Sequence, residues 1–121
     1  MITLFEKTDR SPLVTFDNGE LVIEGRSYMD DAAEFYRNLI ANVSGLSSAR
    51  LSVVVFLEYF NTSSSKCLLE LFRYFEAMGK KGRQVKIVWK FTDGNQDLEE
   101  AGEDYRDLIT GIPFETQSVD A

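Results

Sequence analysis

The chain has 121 residues, a length that suits one domain, and its 44% hydrophobic and 12% aromatic content is typical of a globular protein. The 13 basic and 20 acidic side chains give a net charge of −7, which disfavours binding to nucleic acid or to an anionic membrane. The sequence contains no histidine, so it lacks the usual general base, the commonest metal ligand and the base of Ser-His and Cys-His nucleophile pairs.

Cysteine content and the N-terminus bear on the compartment. Cys67 is the only cysteine, so the chain forms neither an internal disulfide nor a cysteine zinc cluster, and a reducing compartment is expected. The N-terminus becomes charged after five residues and lacks the apolar region of a signal peptide. The longest apolar run, residues 51–57, is too short to span a bilayer. We therefore expect a cytoplasmic protein without membrane insertion.

Periodic apolar positions predict the secondary structure in chain order. Asn18-Gly19 between two alternating stretches is typical of a hairpin turn. Spacings of three and four residues indicate helices, and alternation or β-branched runs indicate strands. The predicted elements are strands at 2–5, 13–16 and 20–24, a helix at 28–46, a strand at 51–59, a helix with an apolar stripe at 68–78, a strand at 85–91, a helical stripe at 98–109 and a short strand at 113–116.

This order predicts an α/β fold in which one mixed β-sheet carries packed helices through right-handed crossovers. The strand at 51–59 is β-branched over most of its length, as expected for a central strand with both faces covered. No segment resembles a hinge, so residues 1–121 are expected to form a single domain.

The segment Leu57 to Lys66 joins this strand to the second helix and contains four consecutive hydroxyl residues, Thr62 to Ser65. The first turn of a helix has unpaired N–H groups and a positive dipole end, so it accepts anions readily. Either Asn61 or Thr62 can cap the helix, and the simplest interpretation is that these residues are caps only. A nucleophilic hydroxyl needs a base, and Lys66 could serve only if it were buried. A hydrolase is therefore disfavoured, whereas a passive phosphate acceptor needs only exposure.

The residues of this junction resemble those of a known family. The Tyr-Phe-Asn-Thr-Ser-Ser core within Leu57 to Lys66 is similar to the SiaC family of bacterial regulatory phosphoproteins. The likeness continues through Gly25-Arg26-Ser27-Tyr28, the Gly-Lys-Lys-Gly turn, Val88-Trp89 and the acidic third helix, and so covers nearly the whole chain. The family looks like the STAS fold of anti-sigma-factor antagonists, which implies a STAS-like single domain.

The resemblance implies a switch that has no enzymatic activity and no cofactor. In the family, a partner Ser/Thr kinase phosphorylates the threonine of the Asn-Thr-Ser motif and a PP2C-type phosphatase removes the phosphate. The unphosphorylated form binds and activates a diguanylate cyclase, a GGDEF protein. Carried over by position, the phosphoacceptor is Thr62, its neighbours at the partner-binding site are Asn61, Ser63 and Ser64, and Ser65 is a candidate decoy. The alternative is an unswitched interaction adaptor in which Thr62 only caps a helix.

Three other charged or polar features each have two possible interpretations. A basic stretch from Lys80 to Lys90 is either a solvated face or a docking patch for an acidic partner. The seven acidic residues between Asp93 and Asp107 suggest a solvated helix face rather than a metal site, because no liganding loop accompanies them. Cys67, near the start of the second helix, is either a small buried residue or a thiol of lowered pKa.

Overall fold

Nine secondary-structure elements follow one another in residues 1–46 and 48–121, the part of the chain that the computed structural model describes. Their order and type are those predicted from the sequence. The strands are β1 (Ile2–Phe5), β2 (Leu13–Asp17), β3 (Glu20–Ser27), β4 (Arg50–Phe60), β5 (Gln84–Thr92) and β6 (Phe114–Val119). The helices are α1 (Ala32–Ser44), α2 (Thr62–Lys80) and α3 (Gln96–Leu108).

The six strands form one mixed sheet in the order β1-β2-β3-β4-β5-β6. The first three strands pair antiparallel, and β3 to β6 pair parallel. The turn between β2 and β3 places Asn18 at φ 47° and Gly19 at φ 79°, as in the predicted Asn-Gly hairpin. The predicted α/β class and mixed sheet are thus confirmed.

The three helices pack on one face of the sheet. Each parallel strand adds to the same side of its predecessor, and right-handed crossovers then place every connecting helix on the same face. Val53 and Val55 of β4 belong to the core under the helices, whereas Val54, which points to the other face, does not. The expectation that β4 has both faces covered holds at Val54, which is buried, whereas Ser52 and Phe56 on the same face are only half-buried.

Two predicted boundaries shift for identifiable reasons. The first helix begins at Ala32 rather than near Tyr28, because the Asp31 side chain accepts a hydrogen bond from the Glu34 N–H and caps it there. The last strand extends to Val119 because it pairs with β5 along six residues. No helix in the described ranges is long and apolar enough to cross a membrane.

An aromatic cluster lies beneath α2 and α3 and supports their starts. Trp89 is almost fully buried, donates its indole N–H to the Leu98 carbonyl at 2.9 Å, and contacts Phe60, Phe72 and Tyr105. A Cβ atom at Gly102 of α3 would overlap the Trp89 ring, so glycine allows the helix to approach the sheet closely. This cluster therefore fixes the positions of α2 and α3 relative to the carboxyl edge of the sheet.

Candidate functional site at the start of the second helix

The junction of β4 and α2 is set by the Asn61 cap. Asn61 has extended backbone angles of φ −93° and ψ 178°, and its side-chain oxygen accepts a hydrogen bond from the Ser64 N–H at 2.9 Å. The Asn61 carbonyl accepts the Ser65 N–H, also at 2.9 Å, which begins the helical hydrogen bonding. Of the two capping candidates, the structure selects Asn61, and Thr62 becomes the first residue of the helix.

The four consecutive hydroxyl residues separate into two pairs. Thr62 and Ser63 are exposed, whereas Ser64 is fully buried and Ser65 is half-buried. This division follows from the helical turn, which directs adjacent residues to different sides of the cylinder. A protein partner therefore has access to Thr62 and Ser63, while the Ser64 side chain faces the interior and makes no surface contact.

Ser64 belongs to a buried hydroxyl network. Its Oγ accepts a hydrogen bond from Ser27 Oγ at 2.7 Å, and Ser27 Oγ lies 2.7 Å from the Tyr36 hydroxyl. The Met29 sulfur is 3.9 Å from Ser64 Oγ. Burial raises the pKa of Tyr36 well above its usual range, so this hydroxyl stays protonated. The network thus connects the start of α2 to the end of β3 and to Tyr36 in the first half of α1.

Ser65 makes a second attachment, to α3. Its carbonyl accepts a hydrogen bond from the Tyr105 hydroxyl at 2.9 Å, and its Oγ lies 3.1 Å from the same hydroxyl. Burial raises the pKa of Tyr105, which keeps it a donor at neutral pH. The two attachments hold the first turn of α2 from both sides and leave Thr62 and Ser63 facing outward.

The site lacks the groups that activate a nucleophile. Lys66 is exposed, so it does not meet the burial condition for a lysine base. Burial, with the nearby Glu70 carboxylate, raises the pKa of the Cys67 thiol, which excludes the reading of a lowered pKa. Within the described ranges, no group of three acidic or cysteine side chains is arranged to hold a metal ion. Acceptance of a group from a separate enzyme needs none of these groups at the hydroxyl itself.

The exposed end of the helix has room for an anion. The first N–H groups of a helix have no partner within it. Asn61 takes the Ser64 N–H, and the N–H groups of Thr62 and Ser63 have no acceptor among the described residues. A negatively charged group on Thr62 would therefore lie beside free donors at the positive end of the α2 dipole.

Aromatic and acidic side chains lie at the same edge of the sheet as the exposed hydroxyls. Tyr59, which is 53% exposed, meets the edge of Tyr28 with ring centroids 5.7 Å apart. Arg26 Nε donates to a Glu58 carboxylate oxygen at 3.0 Å, and this pair raises the pKa of the arginine. Glu58 lies between two shallow depressions, of about 380 and 570 Å³, and the second of these also contains Asp93 and Asp97. This edge of the sheet therefore combines the exposed Tyr59 and the half-buried Tyr28 with negative charge.

Sequence reasoning located the exposed residues of the site but missed its supports. The sequence placed Ser27 only within the family likeness. It placed Tyr36 and Tyr105 only within helical apolar patterns. A signal for Ser27 existed: it occupies a core-facing position of β3, in phase with Leu21 and Ile23, where a polar side chain needs a buried partner. The identity of that partner depended on the tertiary fold.

The chain is thus an α/β domain that displays the hydroxyl groups of Thr62 and Ser63 at a helix start. The family model described as "SiaC family regulatory phosphoprotein" matches residues 5–119, nearly the whole chain. The chain therefore belongs to the SiaC family.

Relatives from Pseudomonas aeruginosa agree with this assignment. An uncharacterized protein of strain UCBPP-PA14 is 27% identical over 118 residues, which cover 93% of each chain. The structure of SiaC of P. aeruginosa superimposes with a TM-score of 0.82 at 26% identity, covering 98% of this chain and 100% of that one. A crystal structure of the diguanylate cyclase SiaD in complex with its activator SiaC contains a chain that matches with a TM-score of 0.83 at 26% identity, covering 93% and 96%.

Proposed function

We propose that this protein is a phosphorylation-controlled activator of a diguanylate cyclase, with Thr62 as the phosphoacceptor. The observation that carries the proposal is the exposed Thr62 at the capped start of α2, in a chain whose structural relative is the activator in a complex with a diguanylate cyclase. The unphosphorylated form binds the cyclase. A partner Ser/Thr kinase adds the phosphate and a PP2C-type phosphatase removes it, both in the cytoplasm.

Accessibility supports Thr62 as the acceptor. A kinase must bring the hydroxyl to its own catalytic groups, so the acceptor has to be exposed, as Thr62 and Ser63 are and Ser64 is not. The Thr62 hydroxyl makes no hydrogen bond to any described residue, whereas Asn61 supplies the cap. The choice of Thr62 over Ser63 rests on the Asn-Thr-Ser motif of the family.

The phosphorylated product is compatible with the fold. Phosphate adds about −1.5 to −2 charge units, and a helix start with free N–H groups interacts favourably with that charge. Phosphorylation therefore acts on the partner rather than on folding: a cyclase surface packed against Thr62 meets a bulky dianion that it must desolvate or avoid.

The exposed Tyr59 supports a location for the cyclase contact. Tyrosine is enriched at the energetic centres of interfaces because it presents a large, rigid apolar surface with a polar tip. Tyr59 is half exposed and lies three residues before Thr62 along the chain. We place the cyclase interface across Tyr59 and Thr62, so that one surface both binds the partner and receives the phosphate.

The alternative function is an adaptor without a switch. This alternative gives Thr62 a capping role, but Asn61 caps α2, and replacing Thr62 by alanine removes no hydrogen bond to a described residue. An adaptor of this kind would bind its partner equally well with any small residue at position 62. The switch requires that charge at this position changes the affinity.

Phosphorylation by the kinase encoded nearest to this gene, followed by intact-mass measurement, separates the two functions. We expect one phosphate on the unmodified chain and on Ser63→Ala, and none on Thr62→Ala. Ser63→Ala is the matched control because both residues are exposed in the same helical turn. No adduct on the unmodified chain, or an equal adduct on Thr62→Ala, contradicts the assignment of Thr62.

A further inference from the structure

A cavity of about 680 Å³ lies at the amino ends of β4 and β5, at the opposite edge of the sheet from Thr62. The 11 residues of β4 separate the two places by roughly 30 Å, at about 3.3 Å per residue. Cavities that bind small molecules commonly enclose about 300 to 1,000 Å³. The volume is thus sufficient for a ligand of nucleotide size, at a place that the proposed switch does not use.

Hydrogen bonds fix two walls of the cavity. On one side the Gly19 carbonyl accepts the Ser52 N–H at 2.8 Å, which holds the hairpin turn against β4. A Cβ atom at Gly19 would lie 2.7 Å from the Arg50 carbonyl oxygen, so only glycine allows this approach. On the other side a carboxylate oxygen of Glu76 accepts the N–H of Gly111 at 2.8 Å. Both walls are therefore in place before any ligand binds.

The cavity is positively charged in a negatively charged protein. Arg50, Arg83 and Lys86 line it, together with one acidic residue, Glu20. Arg83 donates to the Ser48 carbonyl at 2.8 Å, which fixes its guanidinium. None of the three cations forms an ion pair with another residue in the described ranges. Three cations without counterions beside one carboxylate form a local excess of positive charge in a chain of net charge −7.

Glu20 does not neutralise the lysine. In the register of the sheet, Ser52 of β4 stands between Glu20 on β3 and Lys86 on β5, so the two charged residues are two strand spacings, roughly 10 Å, apart. The small Ser52 side chain leaves space between them. Glu20 is therefore separated from Lys86, and in the described residues no ion pair joins it to Arg50 of the neighbouring strand.

We propose that this cavity binds a phosphate-bearing small molecule of nucleotide size. Guanidinium groups bind phosphate oxygens through paired hydrogen bonds, and Arg50, Arg83 and Lys86 supply the cationic part of such a site. Leu51, Val85 and Ile112, which are buried, form the apolar floor of the cavity. Two cations of the basic stretch from Lys80 to Lys90, Arg83 and Lys86, thereby gain a binding role in place of a merely solvated one.

Isothermal titration of the full-length protein alone tests the site. The probes are GTP, ATP, cyclic di-GMP, inorganic phosphate and a hexaglutamate peptide. The test variant is Arg50→Gln with Lys86→Gln, and the matched control is Arg37→Gln, an exposed arginine of α1. Arg83 is left unchanged because it also holds the Ser48 carbonyl. Since no cyclase or kinase is present, failure of this site is distinguishable from failure of the proposed switch.

We expect at least one nucleotide to bind with a Kd below about 1 mM, and the double variant to weaken it by at least about tenfold. Arg37→Gln leaves the Kd unchanged, and the amide NMR signals of Gly19 and Gly111 shift while that of Thr62 does not. Three results overturn the proposal: no nucleotide binding below about 1 mM, nucleotide binding that is insensitive to the double variant, or binding of inorganic phosphate or hexaglutamate as tight as that of every nucleotide. Circular dichroism of each variant verifies that it is folded.

Discussion

Ser27 and Ser64 bring their hydroxyl oxygens to 2.7 Å, and both residues are fully buried. The pair joins the last residue of β3 to the third residue of α2, two elements that are distant in sequence. Because a buried hydroxyl without a partner is costly, the pair fixes how the helix begins relative to the sheet. The exposed Thr62 is therefore presented from a rigid first turn.

Ser64 and Ser63 should respond differently to substitution. Ser64→Ala removes a buried hydrogen bond and should lower the free energy of unfolding by about 1 kcal/mol. Ser63→Ala, at an exposed position, should change it by less than about 0.5 kcal/mol. Urea denaturation followed by circular dichroism measures both. Equal effects of the two substitutions would contradict the buried network.

Asn61 should contribute to stability through its cap. Asn61→Ala leaves the Ser64 N–H without its acceptor and should cost about 1 kcal/mol. Asn61→Asp keeps a side-chain oxygen for the same N–H and adds a negative charge at the helix start, so it should retain most of the stability. The same denaturation measurement compares the two. No loss for Asn61→Ala would show that the cap is unimportant, and a loss for Asn61→Asp as large as that for Asn61→Ala would show that a carboxylate oxygen does not replace the amide oxygen.

Glu76 should make stability depend on acidity. Its carboxylate accepts the N–H groups of Gly111 and Thr110, and these bonds, the former foremost, lower its pKa below the usual value of 4.5. A folded-state pKa below that of the unfolded chain stabilises the protein above pH 4.5. That contribution is lost as the pH falls through the lower, folded-state value.

Comparison of Glu76→Gln with the unmodified chain isolates this effect. We expect unfolding free energy to fall more steeply below about pH 4.5 in the unmodified chain than in Glu76→Gln, since only the carboxylate takes up a proton there. Glu70→Gln, at an exposed position of the same helix, is the control and should follow the unmodified chain. Parallel pH curves for the unmodified chain and Glu76→Gln would refute a stabilising role for the ionised carboxylate.

Tyr59 should matter for binding rather than for folding. Tyr59→Ala should weaken the affinity for the cyclase by at least about tenfold, because truncation of an interface tyrosine commonly costs more than 1 kcal/mol. Leu108→Ala is the control, since Leu108 is similarly exposed, at 49%, but lies at the end of α3. Surface plasmon resonance with immobilised cyclase measures both. An unchanged affinity of Tyr59→Ala for the cyclase would contradict the location of the interface at Tyr59.

Local patterns in the sequence predicted the strands and helices. They did not predict features that depend on packing between residues distant in the chain. Asn18-Gly19 and the apolar spacings indicated the hairpin and the helices, because these depend on neighbouring residues. The consecutive valines of β4 did not reveal that its two faces differ, since apolar residues occupy both. Four hydroxyl residues in a row likewise gave no sign that Ser64 is buried, because its partner Ser27 lies 37 residues away.

The most direct test of the switch is titration of a purified cognate diguanylate cyclase with the protein in its unmodified form and in the form phosphorylated on Thr62. We predict that the unmodified form binds and raises cyclase activity, and that the phosphorylated form binds at least about tenfold more weakly. Both forms should unfold at nearly the same temperature, because the phosphate lies at a helix start that tolerates its charge. Equal affinity and equal activation by the two forms would contradict the account.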